Sequence, residues 1–318
     1  MGRQYRAGNK LGLSKKKLTA IITAVAVIVG TLITLNSELD IIDSLTWDSL
    51  YKATGLTQGQ VQPRTDKLEV HFIDVGQGES TLILTSDKAA LIDSGEADKS
   101  EVLRNYLDAH GVEKLDYIIA THPHSDHIGA LSSIIERYEV GMVIMPRVKD
   151  SLTPTSRAYE KMLNAISDKG LKITTAKPGA KYDIGDGLTI LAPVKAYDDL
   201  NNYSVVCRLS YGDTSFLFTG DVEKAAELDI IEASGSLSST VLQIAHHGSS
   251  TSSSKELLQA VNAEIAVISC GTGNSYGHPH DKVIDRLAKR NTDIYRTDLS
   301  GSVVITSDGA TLSVNSEK

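Results

Sequence analysis

Short apolar runs and longer stretches with helical periodicity alternate along the chain from residue 67 onward. Runs rich in β-branched side chains and bounded by polar or glycine-containing turns predict strands, and apolar residues that recur every three or four positions predict helices. The predicted strands are Leu68–Asp74, Thr81–Thr85, Ala89–Ile92, Asp116–Ala120, Met142–Met145, Leu188–Leu191, Val205–Ser210, Ser215–Thr219, Val241–Ile244 and Ile265–Ser269. The predicted helices are Ser100–His110, Ile128–Tyr138, Ser156–Lys169, Val222–Ala233, Ser254–Val261 and Asp281–Lys289.

The order of these elements predicts a mixed α/β domain with two sheet-rich halves. A final hairpin over Ser302–Thr306 and Thr311–Val314, turning through Asp308-Gly309, completes the second half. We expect residues 67–318 to fold as one domain, because that length is ample for a sizeable core.

The N-terminal region differs because a basic segment precedes a long apolar run. Residues 1–17 carry six basic side chains and no acidic one, and Leu18–Leu35 contains 18 residues without a charge. That length is at the short end for a membrane-spanning helix, and the flanking lysines predict that the N-terminus lies inside the cell. We therefore expect a cytoplasmic tail (1–17), a single-pass transmembrane anchor (18–35), a linker (36–66) and an extracellular domain (67–318). The alternatives for the apolar run are a cleavable signal peptide and a buried globular helix.

Composition and charge narrow the classes of function. A hydrophobic fraction of 41% and a charged fraction of 23% exclude a mostly disordered chain. Two cysteines exclude a disulfide-stapled scaffold and a zinc module built on four thiolates. The net charge is −8 overall, but residues 18–318 carry 26 basic and 40 acidic side chains, a net charge of −14. This net negative charge of residues 18–318 argues against broad, nonspecific nucleic-acid binding. It is compatible with a local phosphate site built on metal ions.

The segment THPHSDH at residues 121–127 concentrates ligand-type side chains directly after the predicted strand DYIIA. Imidazole and carboxylate groups are the ligands that suit zinc, iron or manganese. A strand-to-helix turn here would bring four of these side chains, those of His122, His124, Asp126 and His127, to the carboxyl edge of a sheet. The spacing allows two sets, with His122 and His124 for one metal and Asp126 and His127 for a second.

Further candidates follow three later strands. Asp221 ends SFLFTGD, where a carboxylate can bridge two cations or cap the next helix, and the histidine cluster favours bridging. His246 and His247 in LQIAHHGSS follow another strand, on which neighbouring side chains point to opposite faces. We expect one of them to bind metal and the other to contact substrate or support the ligands, and the sequence leaves open which is which. His278 in GNSYGHPHDK is a candidate hydrogen-bond donor to a phosphoryl oxygen.

These motifs resemble those of the metallo-β-lactamase superfamily. HPHSDH matches its HxHxDH signature, LIDSG matches the strand that carries its first motif acid, and FTGD matches its bridging aspartate. More narrowly, HFIDVGQGES, NNYSVVCRLSYG, FTGD, HHGSSTS and YGHPH resemble the C-terminal nuclease-like domain of the ComEC branch of competence proteins. That branch is also similar to secreted phosphorylcholine esterases that act on teichoic acids. The resemblance implies a four-layer αββα sandwich with two divalent metals, Zn²⁺ or Mn²⁺, at one edge.

The resemblance also implies roles for individual residues. The expected metal ligands are His122, His124, Asp126, His127, Asp221, His246 and His247. The residues expected to support these ligands from behind are Asp74, Asp93, Asn202 and Ser204.

The sequence departs from the family pattern in two places. Position 79 is Glu where the branch usually has Asp, and no histidine lies between HPHSDH and FTGD. The third-motif histidine, a ligand of the first metal in the superfamily, is therefore missing. The candidates to fill its place are Asn201, Asn202 or Ser204.

The predicted activity is hydrolysis of a phosphodiester by a metal-bound hydroxide outside the membrane. Asp126 and Asp221 would bind and orient, and His247 or His278 would steady the leaving oxygen. The expected partners are the membrane, through the N-terminal helix, and a phosphodiester such as DNA or a cell-wall polymer, with no protein partner evident. The alternatives are a surface phosphorylcholine or teichoic-acid esterase and a non-enzymatic metal-binding receptor domain. ComEC-type proteins have many membrane spans, so a role in DNA uptake is not implied.

Overall fold

Fifteen β-strands and eight α-helices lie along residues 64–318 in the computed structural model, which describes Thr31 and residues 64–318. The strands are β1 (Leu68–Phe72), β2 (Thr81–Leu84), β3 (Ala89–Ile92), β4 (Lys114–Ile119), β5 (Glu139–Met145), β6 (Ile173–Thr175), β7 (Lys181–Tyr182), β8 (Gly187–Ala192), β9 (Val206–Tyr211), β10 (Thr214–Phe218), β11 (Val241–Gln243), β12 (Ile265–Ile268), β13 (Asp293–Arg296), β14 (Val303–Ser307) and β15 (Leu312–Ser316). The helices are α1 (Ser100–Ala109), α2 (Ser125–Ile128), α3 (Leu131–Arg137), α4 (Arg157–Asp168), α5 (Lys224–Ala233), α6 (Lys255–Val261), α7 (Asp281–Ala288) and α8 (Thr297–Ser300).

The predicted transmembrane anchor lies outside the described residues, apart from Thr31. The predicted basic tail and most of the predicted linker also lie outside them. Within the part of the chain that is described, no helix is both long and apolar enough to cross a lipid bilayer.

The strands form two sheets, and each sheet has a parallel half whose connecting loops collect at one edge. The eight-stranded sheet has the order β15-β14-β1-β2-β3-β4-β5-β6, and the seven-stranded sheet has the order β13-β12-β11-β10-β9-β8-β7. Strands β3 to β6 are parallel to one another, as are β10 to β13, and the other pairs are antiparallel. Parallel strands end at the same edge of a sheet, so the loops after β3 and β4, and those after β10, β11 and β12, each collect at one edge.

Apolar side chains fill three interfaces between layers. Between the sheets, the buried cluster includes Phe72 of the first sheet and Phe218 of the second, whose ring centroids lie 6.3 Å apart. Buried side chains of α1, α3 and α4 pack on the outer face of the first sheet, and those of α5, α6 and α7 pack on the outer face of the second. The predicted α/β sandwich with two sheets is thereby confirmed.

The predicted helix over Ile128–Tyr138 corresponds to α3 (Leu131–Arg137), and a separate short helix, α2 (Ser125–Ile128), precedes it. The amide of Ala130 donates to the carbonyl of Gly95 at 3.2 Å, and the carbonyl of Asp126 accepts from the amide of Glu79 at 3.1 Å. The bond that would have joined Ala130 to Asp126 in a continuous helix is therefore replaced by two tertiary bonds. These bonds tie the ligand loop to the segments that follow β1 and β3.

Three strands were not predicted, namely β6, β7 and β13. Each lies at an edge of its sheet, and β6 and β7 contain only three and two residues. Strand β13 carries a charged residue at each end and is at most half-buried. Edge strands of this kind lack the apolar pattern by which a strand is recognised in sequence.

Candidate metal centre

Loops from both sheets converge on one cleft with a volume of about 340 Å³. The loop after β4 continues into α2 and contributes His124 and Asp126 to the cleft wall. The turn after β10 contributes Asp221, and the turn after β11 contributes His246 and His247. The remaining lining residues are Gln77, Ser125, Asn201, Tyr276 and His278.

Asp221 lies at the middle of the cluster and is 2% exposed. Its Oδ1 lies 3.2 Å from Nε2 of His127, which is fully buried. Its Oδ2 lies 3.8 Å from Nε2 of His122 and 3.7 Å from Nε2 of both His246 and His247. One carboxylate is therefore close to four imidazoles, as expected of a group shared between two cations.

Three overlapping groups of three donor atoms all contain His127. One group adds His122 and Asp221, a second adds Asp126 and His247, and the third adds the fully buried Glu79 and Asp93. Within each group the donor atoms lie within 4.8 Å of one another. Each group thus offers the imidazole and carboxylate donors of a divalent metal site.

His124 and His246 lie beside these two groups. Nδ1 of His124 is 2.9 Å from Nε2 of His122, which pairs the first two histidines of THPHSDH. Asp126 instead approaches His247, with 3.4 Å between Oδ2 and Nε2. His246 is 22% exposed at its side chain and lies nearer the opening of the cleft.

Several buried polar atoms of the cluster lack hydrogen-bond partners among the described residues. They include Nε2 of His127, Oδ1 of Asp221 and Nε2 of His247. The first two approach to 3.2 Å without hydrogen-bond geometry, so this contact does not satisfy either atom. Unpartnered buried polar atoms are costly, and nitrogen and oxygen atoms at these spacings are suitable metal donors. The residues present therefore fit divalent metal ions.

Burial and charge shift the pKa values of the cluster in opposite directions. Burial lowers the pKa of His122 well below its usual value. Burial also opposes protonation of His127, but the carboxylates of Asp221 and Asp93 outweigh it and raise the pKa of His127 well above its usual value. Burial would raise the pKa of Asp221, but the neighbouring imidazoles lower it well below its usual value. Positive charge is thus favoured beside Asp221, and a divalent cation would supply it.

Asp93 supports His127 from behind. Its Oδ2 accepts hydrogen bonds from Nδ1 of His127 and Oγ1 of Thr121, both at 2.6 Å, and its Oδ1 accepts from the amide of Thr121 at 2.8 Å. Burial raises the pKa of Asp93, and these hydrogen bonds oppose that effect. A carboxylate can only accept from Nδ1, so in the neutral ring, the form that binds a metal, Nε2 of His127 carries the lone pair on the side of Asp221.

Two further buried bridges fix the cluster to its surroundings. Oγ of Ser204 lies 3.3 Å from Nδ1 of His122 and accepts from the amide of Asp221 at 3.0 Å. Nε2 of Gln243 donates to Oε2 of Glu79 at 2.7 Å, which joins the end of β11 to the loop after β1. Burial raises the pKa of Glu79 to about 8. The role of Gln243 was not predicted, although a glutamine inside the apolar run VLQIA was a visible signal.

The prediction that His246 and His247 point to opposite faces of a strand was wrong. Strand β11 ends at Gln243, and both histidines adopt left-handed backbone conformations with φ of 55° and 54°. In this turn both rings line the cleft. Gly248 continues the turn with φ of +83°, and a Cβ there would lie 2.5 Å from Cβ of Pro279, so a larger residue does not fit.

The profile of the metallo-beta-lactamase superfamily matches residues 73–272, which include the THPHSDH, FTGD and HHGSSTS segments. The chain belongs to the metallo-beta-lactamase superfamily. Its curated relatives include ComE operon protein 3 of Bacillus subtilis, 32% identical over 256 residues, and competence protein ComA of Neisseria gonorrhoeae, 30% identical over 236 residues. These alignments cover 74% and 72% of this chain but 32% and 31% of the relatives, so the chain spans about a third of their length. The predicted resemblance to the superfamily and its ComEC-like branch is confirmed.

Solved structures of the metallo-beta-lactamase fold agree with the two-sheet architecture. The fold protein YhfI of Bacillus subtilis matches with a TM-score of 0.50 and 13% identity, covering 79% of this chain and 100% of YhfI. The diiron β-hydroxylase CmlA of Streptomyces venezuelae matches with a TM-score of 0.51 and 14% identity, covering 82% of this chain and 59% of CmlA. At these identities the likeness shows the fold alone.

No histidine of this sequence corresponds to the third-motif histidine of the metallo-beta-lactamase superfamily pattern. Asn201 lines the cleft, and its Oδ1 is buried without a partner among the described residues. Asn202 instead holds backbone in place, since its Oδ1 accepts from the amide of Glu223 at 3.1 Å and its Nδ2 donates to Oδ2 of Asp199 at 2.7 Å. Of the two asparagines, Asn201 is the one that can contact a bound ion.

Two rim residues were not singled out from the sequence, although each lies in a shared motif. Gln77 of GQG lines the cleft, and Tyr276 of YGHPH is 65% exposed there. The ring of Tyr276 stacks on His278, with centroids 5.6 Å apart. Asp74 lies after β1, where its Oδ1 accepts from the amide of Gly76 at 3.1 Å, and it does not line the cleft.

Proposed function

We propose that this metallo-beta-lactamase domain hydrolyses phosphodiester bonds and that the N-terminal segment anchors it to the outer side of the cell membrane. The observation that carries the proposal is the buried cluster around Asp221, whose unpartnered donor atoms fit divalent metal ions. The sequence relatives named for competence favour a phosphodiester over a β-lactam.

Six residues of this chain are the expected ligands of the two cations. The residues that would hold two cations are His122, His124, Asp126, His127, Asp221 and His247. Bound there, the cations would supply the Lewis acidity that lowers the pKa of water towards ~7 and neutralises charge at the phosphoryl group. Asp126 and Asp221 serve as ligands and not as free bases.

Within this proposal, His278 is the residue that steadies the leaving oxygen. Burial lowers the pKa of His278 to about 4, so its ring is neutral at pH 7 and offers an N–H hydrogen bond. Asn274 fixes the backbone of His278, since its Oδ1 accepts from the His278 amide at 3.0 Å and its Nδ2 donates to the His278 carbonyl at 2.6 Å. His278 lines the cleft, and its Nδ1 has no hydrogen-bond partner among the described residues.

A surface phosphorylcholine or teichoic-acid esterase is the second candidate. The net charge of −14 on residues 18–318 favours it, because a polynucleotide is repelled by so acidic a body. Both candidates use the same metal centre and differ in the substrate.

The test uses the purified full-length chain in detergent with added Zn²⁺ or Mn²⁺, or with EDTA. Its substrates are bis-p-nitrophenyl phosphate, single-stranded DNA, p-nitrophenyl phosphorylcholine and a chromogenic cephalosporin. We expect metal-dependent hydrolysis of the first two, lost by more than about 100-fold in Asp221→Ala, because residues behind a metal ligand already affect activity by 10–100-fold. Asp168→Ala, at an exposed site on α4, is the matched control.

The other outcomes are equally informative. Release of phosphorylcholine without cleavage of DNA would transfer the proposal to the esterase. Bound metal without turnover of any of the four substrates would contradict the enzyme and favour a metal-binding receptor domain.

A further inference from the structure

A second cavity of about 340 Å³ lies beside the metal centre and carries excess positive charge. Lys224, Lys255 and Arg286 line it, together with a single acidic residue, Glu256, and the hydroxyl-rich segment 250–254. Three cations against one acid are unusual in a body with a net charge of −14. An anion-binding site on a protein with a net negative charge requires a local excess of positive charge.

Two of these cations form no ion pair with a carboxylate within 4 Å among residues 64–318. Nη1 of Arg286 donates to the carbonyls of Ser252 and Ser253, both at 2.9 Å, so the guanidinium is held in place by neutral acceptors. Lys224 pairs with Glu256 at 3.1 Å. Lys255 is exposed and has no carboxylate within ion-pair distance among the described residues. The cavity therefore keeps two cations without an ion pair, of which Arg286 also interacts with the charge of the buried Glu227.

A buried hydroxyl in the same cavity also lacks a partner. Ser252 is fully buried, lines the cavity, and its Oγ has no hydrogen bond within the described chain. A buried hydroxyl without a partner is costly, and its presence points to a ligand atom that completes it. A phosphate oxygen suits this position, because it accepts from a hydroxyl and attracts the nearby cations.

The cavity and the metal centre share one loop. His246 and His247 line the metal cleft, and Ser250, Thr251, Ser252 and Ser254 of the same loop line the second cavity. The amide of Ser250 donates to Nδ1 of His280 at 2.9 Å. Oγ1 of Thr251 donates to Oε1 of Glu223 at 2.9 Å, and the same oxygen lies 3.6 Å from Nδ1 of His246. The side chains of Thr251 and Glu223 thus connect the wall of the cavity to His246.

We propose that this cavity binds a second phosphate of the substrate, next to the one that is cleaved. The substrate class is then a linear polymer of repeated phosphodiesters, either a polynucleotide or a poly(glycerol phosphate) wall polymer, and not a single small ester. The inference rests on the proposed function and deepens it by naming the substrate class.

The test compares polymer and small substrates in the full-length holoenzyme. The variants are Lys255→Ala, Ser252→Ala and the double variant Lys224→Ala/Lys255→Ala, with Lys172→Ala as the exposed control. For the double variant we expect the KM for a 20-nucleotide single-stranded DNA or for poly(glycerol phosphate) to rise about tenfold. We expect kcat/KM for bis-p-nitrophenyl phosphate to change less than twofold. The slope of log KM against log salt should fall by about 0.7 for each phosphate contact removed.

Each outcome has a defined meaning. A rise with DNA alone identifies a polynucleotide, and a rise with poly(glycerol phosphate) alone identifies the wall polymer. Equal changes for polymer and small substrate, or no change for either polymer, would overturn the inference.

If the wild type hydrolyses no phosphodiester, the proposed function fails and binding still tests the cavity. Fluorescence anisotropy with the same two polymers then decides, and tenfold weaker binding by the double variant relative to Lys172→Ala would support the phosphate site. Equal binding by wild type and double variant would overturn it.

Discussion

Replacing Asp93 by asparagine is expected to weaken metal binding without unfolding the protein. The Asp93 carboxylate accepts from Nδ1 of His127 at 2.6 Å, and this fixes the tautomer in which Nε2 has a free lone pair. In the Asp93→Asn variant, the introduced amide nitrogen can occupy the position of Oδ2 and donate to Nδ1, which favours the tautomer with the proton on Nε2. That tautomer cannot bind a metal through Nε2, so metal binding would first require a change of tautomer.

The magnitude follows from the role of the hydrogen bond. Losing a partner that orients a metal-bound histidine typically costs 10–100-fold in metal affinity, or about 1.4–2.8 kcal/mol. The backbone of Asp93 is left-handed, with φ of 57°, and asparagine adopts this conformation readily. The amide of Thr121 can still donate to the retained Oδ1, so the fold of the loop is preserved.

The assay is competition with a chromogenic chelator for Zn²⁺ or Mn²⁺, using the full-length chain and Asp168→Asn as the matched control. Far-UV circular dichroism and thermal unfolding of the metal-free proteins check that Asp93→Asn is folded. A folded Asp93→Asn protein with a metal Kd within twofold of the wild type would refute the assigned role of Asp93. If the variant is unfolded, Thr121→Val removes the second hydrogen bond to the same oxygen and serves as the alternative test.

Three other predictions follow from single positions. Asn201→His should tighten binding of the more weakly held metal by about tenfold or more, because it adds an imidazole to the wall of the metal cleft, and unchanged chelator competition would contradict this. Gly248→Ala should lower the free energy of unfolding by more than Gly170→Ala does. Both glycines have left-handed backbones, which cost an alanine ~1–2 kcal/mol, but a Cβ at 248 would also lie 2.5 Å from Pro279, whereas a Cβ at 170 has nothing within 4 Å. Equal losses of stability in urea unfolding would count against this prediction. Burial raises the pKa of Glu227, so folding favours its protonated form. The stability of the metal-free wild type relative to Glu227→Gln should therefore fall as the pH rises above the usual pKa of 4.5. A constant difference between the urea midpoints of the two proteins from pH 4.5 to 7 would refute this prediction.

Much of the site could be located from the sequence because each motif directly follows an apolar run. DYIIA precedes THPHSDH, and SFLFTGD ends in Asp221, so both motifs lie where their strands end. Parallel pairing then collects such ends at one edge of each sheet. The candidate residues are brought together by the fold that these apolar patterns predict.

The geometry beyond the strand ends could not be predicted, because it depends on contacts between distant segments. Shortly after β11 the chain enters a left-handed turn, so strand alternation does not apply to His246 and His247. The break at Ala130 arises from a hydrogen bond to Gly95, 35 positions earlier in the chain. The unpartnered hydroxyl of Ser252 becomes visible only once the packing around it is known.

The most direct test of the central claim is the rate of bis-p-nitrophenyl phosphate hydrolysis as Mn²⁺ or Zn²⁺ is titrated into the metal-free full-length chain. The proposal predicts no hydrolysis without metal and a rate that rises until about two equivalents are bound, because the Asp221 carboxylate lies within 3.8 Å of four imidazoles and can be shared by two ions. A chain that binds no divalent metal, or a rate that does not depend on the metal added, would contradict the account.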